Sequence, residues 1–323
     1  MKRLVAIWLF LMLLVALGVP TMAAEQIKLA VLGKSVHPYW SEVELGVKAA
    51  AKAYGIDATF FVPPREDIAR QVTAMEGFIA QGVKGISFAA SDPDALKAVA
   101  KKALQEGIPL VTLDTDSPDS GRYIYIGTDN YSAGKEAGEQ MVKILNGNGK
   151  VAILTGSLTA RNSLERIQGF KDAVAKHPGI KIVTIQSDNE DAQKALALAE
   201  SVLQTYPDLN AIFGVYAYNG PSAASAIKTA GKAGKVHVVC FDTTPDIIKW
   251  IKEGVIDATI GQRPYMMGYL SVAVLYNMNK IGVKNTLQML PKTNIDTGVD
   301  VVTRANLEEY KKLLKNLGIP VKW

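Results

Sequence analysis

Two aspartates stand where buried strands of the predicted fold end. Asp114 follows an apolar run at residues 108–113, and Asp242 follows a second run at residues 236–241. Apolar runs that stop at polar residues are typical of buried parallel strands, and open α/β sheets bind ligands at the carboxyl ends of such strands. An ionised aspartate only accepts hydrogen bonds, so both residues predict a small ligand with hydroxyl or amino donors. Capping of neighbouring loops is the alternative role.

A pair of aromatic residues follows the first predicted strand, residues 27–32. Tyr39 and Trp40 stand at the mouth of the next helix, on the same sheet edge as Asp114. Rings at this edge can cover the apolar face of a sugar or of another small ring. Core packing is the alternative, but adjacent residues of one helix cannot both point into the core.

Polar residues occupy the equivalent place in the second half of the chain. Asn162 and Arg166 lie one helical turn apart, and the guanidinium group of Arg166 presents a rigid fork of hydrogen-bond donors. For the neighbouring Arg161 we expect a solvent-exposed helix face rather than a ligand contact.

Catalytic motifs are missing from the sequence. Residues 33–35 are similar to the end of a P-loop, but the earlier glycine of that motif would fall at position 28, which is Lys28. The three histidines lack the spacing of metal ligands. Hydrolysis of a glycoside by two facing aspartates is the remaining enzymatic alternative. We therefore expect a binding protein and not an enzyme, with no metal and no other cofactor.

Strands and helices alternate along the chain after residue 24. Apolar runs predict the strands, and a periodicity of 3.6 residues predicts the helices between them. In the first half the predicted elements are strand 27–32, helix 41–54, strand 58–62, helix 67–81, strand 85–89, helix 93–106 and strand 108–116. This alternation indicates parallel sheets with helices on both faces.

The same series of elements begins again half-way along the chain. Residues 27–33 match residues 151–156, and residues 94–114 match residues 222–242. A repeat of this length predicts two similar lobes rather than a solenoid. The helix after the first strand of each half carries a glycine that should point inward, at Gly46 and at Gly169.

The first 24 residues are typical of a secretory signal peptide. Lys2 and Arg3 precede an apolar stretch at residues 4–19, and small residues precede Glu25. A retained membrane anchor is the alternative, but the stretch is short for a spanning helix. We expect cleavage after residue 23 or 24 and a location in the periplasm.

Composition limits the partners of the mature chain. The 323 residues, 48% of them hydrophobic and 21% charged, are enough for two globular lobes. Loss of Lys2 and Arg3 would lower the formal charge from +5 to +3, and no basic stripe is present, so we expect no nucleic-acid partner. Cys240, the single cysteine, lies in an apolar run and predicts a buried thiol.

Taken together, these residues resemble the periplasmic sugar-binding proteins of the ribose and galactose type, which are type I periplasmic binding proteins of ABC importers. The resemblance covers residues 25–323. It rests on Pro-Tyr-Trp at 38–40, Leu-Asp at 113–114, Glu-Arg and Gly-Phe within 165–170, Phe-Asp and Pro-Asp within 241–246, and the glutamine-bearing segment 258–262. It implies an α/β fold of two similar doubly wound parallel-sheet lobes, joined by a three-strand hinge.

The resemblance also implies a function and a role for each site residue. A monosaccharide-like solute would be captured between the lobes and delivered to an inner-membrane ABC importer. Tyr39 and Trp40 would stack on the ligand ring, Asp114 and Asp242 would accept from its hydroxyls, and Arg166 would donate to its oxygens. The complete candidate ligand-binding set is His37, Tyr39, Trp40, Asp114, Asn162, Arg166, Tyr216, Asp242 and Gln262.

Several positions depart from the ribose-binding pattern. Thr115 stands where ribose binders have an arginine, His37 replaces a usual asparagine, and Glu190 falls where an aromatic residue is expected. Donors specific for ribose are therefore missing, so pentoses, hexoses, polyols and furanosyl ligands remain open. A binding protein for an autoinducer-like diol, or for a chemoreceptor ligand, is the alternative function.

The resemblance further implies the domain boundaries and the partners. After a signal peptide at 1–24, lobe 1 would hold 25–127 and 264–291, and lobe 2 would hold 128–263 and 292–323. Hinge crossings are expected near 127–130, 262–264 and 291–294. The expected partners of this monomer are a sugar or polyol, the permease of an ABC importer and, in one alternative, a chemoreceptor.

Overall fold

The apolar runs of the chain form two six-stranded sheets in the computed structural model, which describes residues 26–290, 292–321 and 323. The predicted signal peptide and its cleavage site lie outside these residues. Within the described ranges, the structure contains no helix of the length and apolar character needed to span a membrane.

The strands, in chain order, are β1 (Lys28–Leu32), β2 (Asp57–Phe61), β3 (Ile86–Phe88), β4 (Leu110–Leu113), β5 (Ile124–Gly127), β6 (Asn148–Thr155), β7 (Gly179–Ser187), β8 (Ala211–Gly214), β9 (His237–Phe241), β10 (Ala258–Gly261), β11 (Asn294–Asp296) and β12 (Asp300–Thr303). The helices are α1 (Pro38–Tyr54), α2 (Ile68–Ala80), α3 (Lys97–Gln105), α4 (Asn130–Ile144), α5 (Arg161–Val174), α6 (Ala192–Thr205), α7 (Asn219–Thr229), α8 (Pro245–Glu253), α9 (Pro264–Ile281), α10 (Val283–Gln288) and α11 (Leu307–Asn316).

Both sheets have the same strand order, as the internal repeat predicts. The first runs β11-β5-β4-β3-β1-β2 and the second β12-β10-β9-β8-β6-β7. Neighbouring strands are parallel throughout the first sheet, and in the second only β12 is antiparallel, to β10. The predicted α/β class with two similar doubly wound parallel sheets is confirmed.

Each sheet is buried on both of its faces. In β1, Val31 packs into one apolar cluster and Leu32 into another, and in β6 Ile153 and Leu154 do the same. Successive residues of a strand point to opposite faces, so both faces of a sheet covered by helices require apolar residues. This two-sided burial explains why the strands form continuous apolar runs in the sequence.

One predicted helix begins later than expected. α3 starts at Lys97 rather than at residue 93, because a turn precedes it. Oδ1 of Asp92 accepts hydrogen bonds from the backbone N–H groups of Asp94 and Ala95 and stabilises that turn in place of the first helical turn.

Two glycines bring pairs of helices into backbone contact. A Cβ atom on Gly46 of α1 would overlap the backbone oxygen of Tyr265 in α9, and one on Gly169 of α5 would overlap the backbone oxygen of Tyr131 in α4. The predicted inward position of both glycines is therefore confirmed. Because α1 and α5 each carry candidate site residues, these contacts fix the position of those residues relative to α9 and α4.

The third passage between the sheets lies later in the chain than expected. β5 and β10 end at Gly127 and Gly261, next to the expected first and second crossings. β11 pairs with β5 in the first sheet, with Asn294 opposite Tyr125, so the crossing expected at 291–294 instead follows Asp296. We propose two lobes with the boundaries given above, except that β11 belongs to the first.

Candidate ligand-binding site

A cavity with about 350 Å³ of empty space, part of it open to solvent, lies where strands of both sheets end. Its walls come from the segments that follow β1 and β4 in the first sheet and β6, β7, β8, β9 and β10 in the second. The structure brings all of the candidate residues to this one cavity, while their contact with a ligand stays a prediction. They are His37, Tyr39, Trp40, Asp114, Asn162, Arg166, Tyr216, Asp242 and Gln262.

Asp114 and Asp242 share the same unusual backbone geometry. Each follows the last residue of its strand and has a positive φ, of 57° and 76° respectively. Each donates its N–H to the neighbouring strand, to the carbonyl oxygen of Ile126 at 3.0 Å and of Ile260 at 2.8 Å. Such a backbone conformation is uncommon outside glycine, although Asp and Asn tolerate it better than other residues, and it is concentrated at functional sites. Both lobes thus hold a buried carboxylate in the same way.

Tyr39 orients the carboxylate of the first lobe. Its hydroxyl donates to Oδ1 of Asp114 at 2.6 Å, and the hydroxyl of Thr115 donates to Oδ2 at 2.7 Å. The rings of Tyr39 and Trp40 pack edge to face, with centroids 5.2 Å apart and an interplanar angle of 87°. Because the two planes are nearly perpendicular, only one of these rings can lie flat against a ligand ring.

Arg166 joins several elements of the second lobe. Its side chain is 1% exposed. Nε donates to Oδ1 of Asn130 at 2.9 Å, Nη1 to the backbone oxygen of Val215 at 3.0 Å, and Nη2 to Oε1 of Gln262 at 2.7 Å. The guanidinium carbon also lies 4.1 Å from the centroid of the Phe241 ring. Arg166 therefore positions other site residues besides lining the cavity.

Gln262 connects the second aspartate to this arginine. Its Nε2 donates to Oδ1 of Asp242 at 2.8 Å, while its Oε1 accepts from Arg166 and, at 2.8 Å, from Oγ1 of Thr128. Burial raises the pKa of Asp242 to about 6, although Arg166 and Gln262 oppose that increase. At neutral pH the carboxylate is mostly ionised and accepts hydrogen bonds.

His37 caps the helix that carries the aromatic pair. Its Nδ1 accepts from the backbone N–H of Tyr39 at 3.2 Å, and its ring packs edge-on against Tyr218, with centroids 5.5 Å apart. Burial lowers the pKa of His37 to about 4, so the ring is neutral at pH 7. His37 therefore lines the cavity as an uncharged group.

Arg161 lies outside the site, as expected. Its side chain is 46% exposed, and its Nε lies 2.6 Å from Oε1 of Glu165, one helical turn away. The predicted solvent-exposed helix face is confirmed. Across the part of the chain that the structure describes, no group of three or more His, Cys, Asp or Glu side chains is placed to hold a metal ion.

Further lining residues were not predicted from the sequence. Lys34 and Ser35 lie between the first strand and the Pro-Tyr-Trp segment, and Glu190 stands where the resemblance calls for an aromatic residue. The place of Lys34 and Ser35 directly after the first strand, and the departure of Glu190 from the family pattern, were the sequence signals that could have identified these residues. The complete additional set is Lys34, Ser35, Glu190, Ala217 and Tyr218.

Known proteins match this chain over most of its length. It is 30% identical over 289 residues to the D-allose-binding periplasmic protein of Escherichia coli. This match covers 86% of this chain and 93% of that relative. A solved ABC transporter solute binding protein from Burkholderia graminis, in complex with D-arabinose, gives a TM-score of 0.82 at 38% identity and covers 88% of this chain and 97% of that one. A glucose-galactose binding protein from Geobacillus stearothermophilus also gives 0.82, at 32% identity over 88% of this chain and 99% of its own. Residues 30–282 match the periplasmic binding protein domain. The chain belongs to this family, as its motifs predict.

Proposed function

We propose that this protein captures a monosaccharide, or a similar polyhydroxylated molecule, between two lobes in the periplasm and delivers it to an ABC importer of the inner membrane. The observation that carries the proposal is the matched pair Asp114 and Asp242. These buried carboxylates come from different sheets and line one cavity. The relatives are named for D-allose or for glucose and galactose, or were solved in complex with D-arabinose, which supports a sugar as the ligand.

Hydrogen bonding across the cavity would provide the affinity. The carboxylates of Asp114 and Asp242 accept from ligand hydroxyls, and Asn162 and Arg166 donate to ligand oxygens. Each charge-assisted hydrogen bond contributes about 1.5–3 kcal/mol, so a few from each lobe reach the roughly −8 kcal/mol of a micromolar complex. One ring of the perpendicular aromatic pair covers the apolar face of the sugar.

A binding role fits the aspartates better than hydrolysis. A glycoside hydrolase needs one protonated carboxyl group to act as the acid and a second carboxylate as base or nucleophile. A pKa of about 6 for Asp242 would also suit a general acid, so the pKa by itself does not decide between the two roles. The carboxylate of Asp242 accepts a hydrogen bond from Nε2 of Gln262, which favours its ionised, acceptor form. The relatives are likewise named as binding proteins.

A ligand screen of residues 25–323 tests the proposal. Thermal unfolding would be followed with D-allose, D-arabinose, D-ribose, D-galactose and matched polyols, and each positive result would be measured by calorimetry. A ligand present at 100 times its Kd stabilises the folded protein by about 2.7 kcal/mol, which raises the melting temperature by several degrees. If no sugar or polyol shifts the transition, the proposed function is wrong. Release of a sugar from aryl glycosides during the screen would favour the enzymatic alternative.

A further inference from the structure

Lys34 and Glu190 form an ion pair across the cavity, which the binding mode above does not use. Nζ of Lys34 lies 2.7 Å from Oε1 of Glu190, and each side chain is only 3% exposed. Lys34 follows β1 of the first sheet and Glu190 follows β7 of the second. The pair therefore joins the two lobes and can form only when they approach each other.

The surroundings of this pair hold both partners in place. Oγ of Ser35 donates to Oε2 of Glu190 at 3.0 Å, so both carboxylate oxygens of Glu190 contact the first lobe. Nζ of Lys34 also donates to the hydroxyl of Tyr216 at 3.2 Å and lies 3.9 Å from Oε1 of Glu66. Burial by itself would lower the pKa of Lys34, but Glu190 and its other partners raise it above the ordinary value, so the ammonium group stays charged.

The backbone directs Glu190 to its partner. Asn189 and Glu190 are consecutive residues with positive φ, 58° and 56°, a conformation that asparagine tolerates but glutamate rarely adopts. The N–H of Glu190 donates to the backbone oxygen of Gly156 at 3.1 Å and to Oδ1 of Asp188 at 2.9 Å. Oδ2 of Asp188 in turn accepts from Asn219 at 2.6 Å. The second lobe thus maintains Glu190 in an unfavourable backbone conformation and presents its carboxylate to the first lobe.

We propose that Lys34 and Glu190 act as a clasp that stabilises the closed form and selects ligands by size and charge. In the open form both side chains are hydrated, whereas separating them in the closed form leaves each buried charge without its oppositely charged partner at 2.7 Å. A ligand that is too large, or that carries a negative group beside Glu190, would force that separation. Small neutral sugars would leave the clasp intact. This selection rests on the proposed function, whereas the effect on closure does not.

Three variants test the clasp: Lys34→Met, Glu190→Gln and the double variant. Small-angle X-ray scattering gives the radius of gyration of the unliganded protein, and calorimetry gives the affinity for the sugar found in the screen. Each single variant should have a larger unliganded radius and an affinity about 100-fold lower, because the remaining charge loses its nearest oppositely charged partner on closure. The double variant should lose less than the product of the two single losses, and it should gain relative affinity for hexuronates and N-acetylhexosamines.

An exposed ion pair of the same types provides the control. Nζ of Lys48 lies 2.6 Å from Oε1 of Glu44, with side chains 66% and 37% exposed. Lys48→Met and Glu44→Gln should change neither the radius nor the affinity. Unchanged values in the clasp variants, or single losses that simply multiply in the double variant, would overturn the proposal, and so would a lower melting temperature without those changes. If the wild type binds no sugar, the proposed function fails, and the unliganded radii still decide whether the clasp exists.

Discussion

At the residue scale, the two aspartates differ in how the protein uses them. Asp114 accepts from the hydroxyls of Tyr39 and Thr115, whereas Asp242 accepts from the amide of Gln262. A carboxylate has about four acceptor positions, so each retains capacity for a ligand. The surrounding donors also keep each carboxylate in one orientation, which reduces the entropy that binding must remove.

Replacing either aspartate by asparagine should remove most of the affinity. In Asp114→Asn and Asp242→Asn the amide keeps the size of the side chain and tolerates positive φ, but it loses the charge and one acceptor. Loss of charge-assisted bonds worth about 1.5–3 kcal/mol each should weaken binding by at least tenfold, as measured by calorimetry. Asp119→Asn, where the side chain is 79% exposed, serves as the control and should bind normally. Wild-type affinity in Asp114→Asn or Asp242→Asn would place that residue outside the contact.

Affinity should fall as the pH is lowered through about 6, because burial raises the pKa of Asp242 to that value. Below this pH the carboxyl group of Asp242 is protonated and offers the ligand hydroxyls one acceptor fewer. The contribution of Asp242 to the stability of the unliganded protein changes with pH in the opposite direction. The pKa is raised from 3.8, so the folded chain binds more protons than the unfolded chain between 3.8 and about 6, and this contribution to stability is lost as the pH rises.

Calorimetric measurement of the affinity between pH 5 and pH 8 distinguishes the titration of Asp242 from that of other buried carboxyl groups. Burial also raises the pKa values of Glu66 and Asp188, each to about 7, so they contribute at a higher pH. The step near pH 6 should be absent in Asp242→Asn, while any step near pH 7 should remain. A step near pH 6 that persists in this variant would assign it to another group.

At the element scale, the packing of α5 against α4 positions the second wall of the site. Gly169 lies against the backbone of Tyr131, and the same helix carries Asn162 and Arg166. A displacement of α5 would therefore disturb its packing against α4 and would also move the two candidate ligand-binding residues that it carries.

Gly169→Ala should destabilise the protein and weaken ligand binding. The added methyl group would overlap the backbone oxygen of Tyr131, and relief of that overlap costs about 1–3 kcal/mol. Gly77→Ala in α2 is the matched control, since its methyl group would meet no atom within 4 Å, and it should stabilise by about 0.5–1 kcal/mol. Denaturant unfolding measures both effects. Equal stability of the two variants would contradict the close contact of α4 with α5.

Buried strands could be predicted from the sequence and exposed edge strands could not, because only burial on both faces requires an apolar run. Central strands such as β4 and β9 are buried on both faces, so their apolar runs and the aspartates after them could be recognised. β11 is an edge strand with little burial, so its sequence carries no comparable pattern and the third crossing was placed too early. Lys34 and Glu190 lie far apart in the chain, and only the fold brings their charges together.

At the scale of the whole molecule, binding depends on the balance between open and closed arrangements of the lobes. The clasp joins groups of the two lobes themselves, so it would raise the closed fraction whether or not a ligand is bound. A larger closed fraction raises the apparent affinity, because the free energy of closing is then supplied partly by the protein. A ligand shifts the balance further only through contacts that it makes in the closed form alone.

Distance measurements between spin labels should detect this shift directly. Val36 and Leu158 are 68% and 52% exposed, and they follow β1 in the first lobe and β6 in the second. The thiol of Cys240 is buried and its pKa is raised to about 12, so the labels should react only with introduced cysteines.

In V36C/L158C a saturating sugar should convert a broad distribution with a long component into one short distance. Adding Lys34→Met should enlarge the long component before the sugar is added, because the unliganded closed form then lacks its ion pair. V36C/I68C, with both labels in the first lobe, should give one distance throughout. Identical distributions with and without a sugar that calorimetry shows to bind would mean that capture occurs without closure of the lobes.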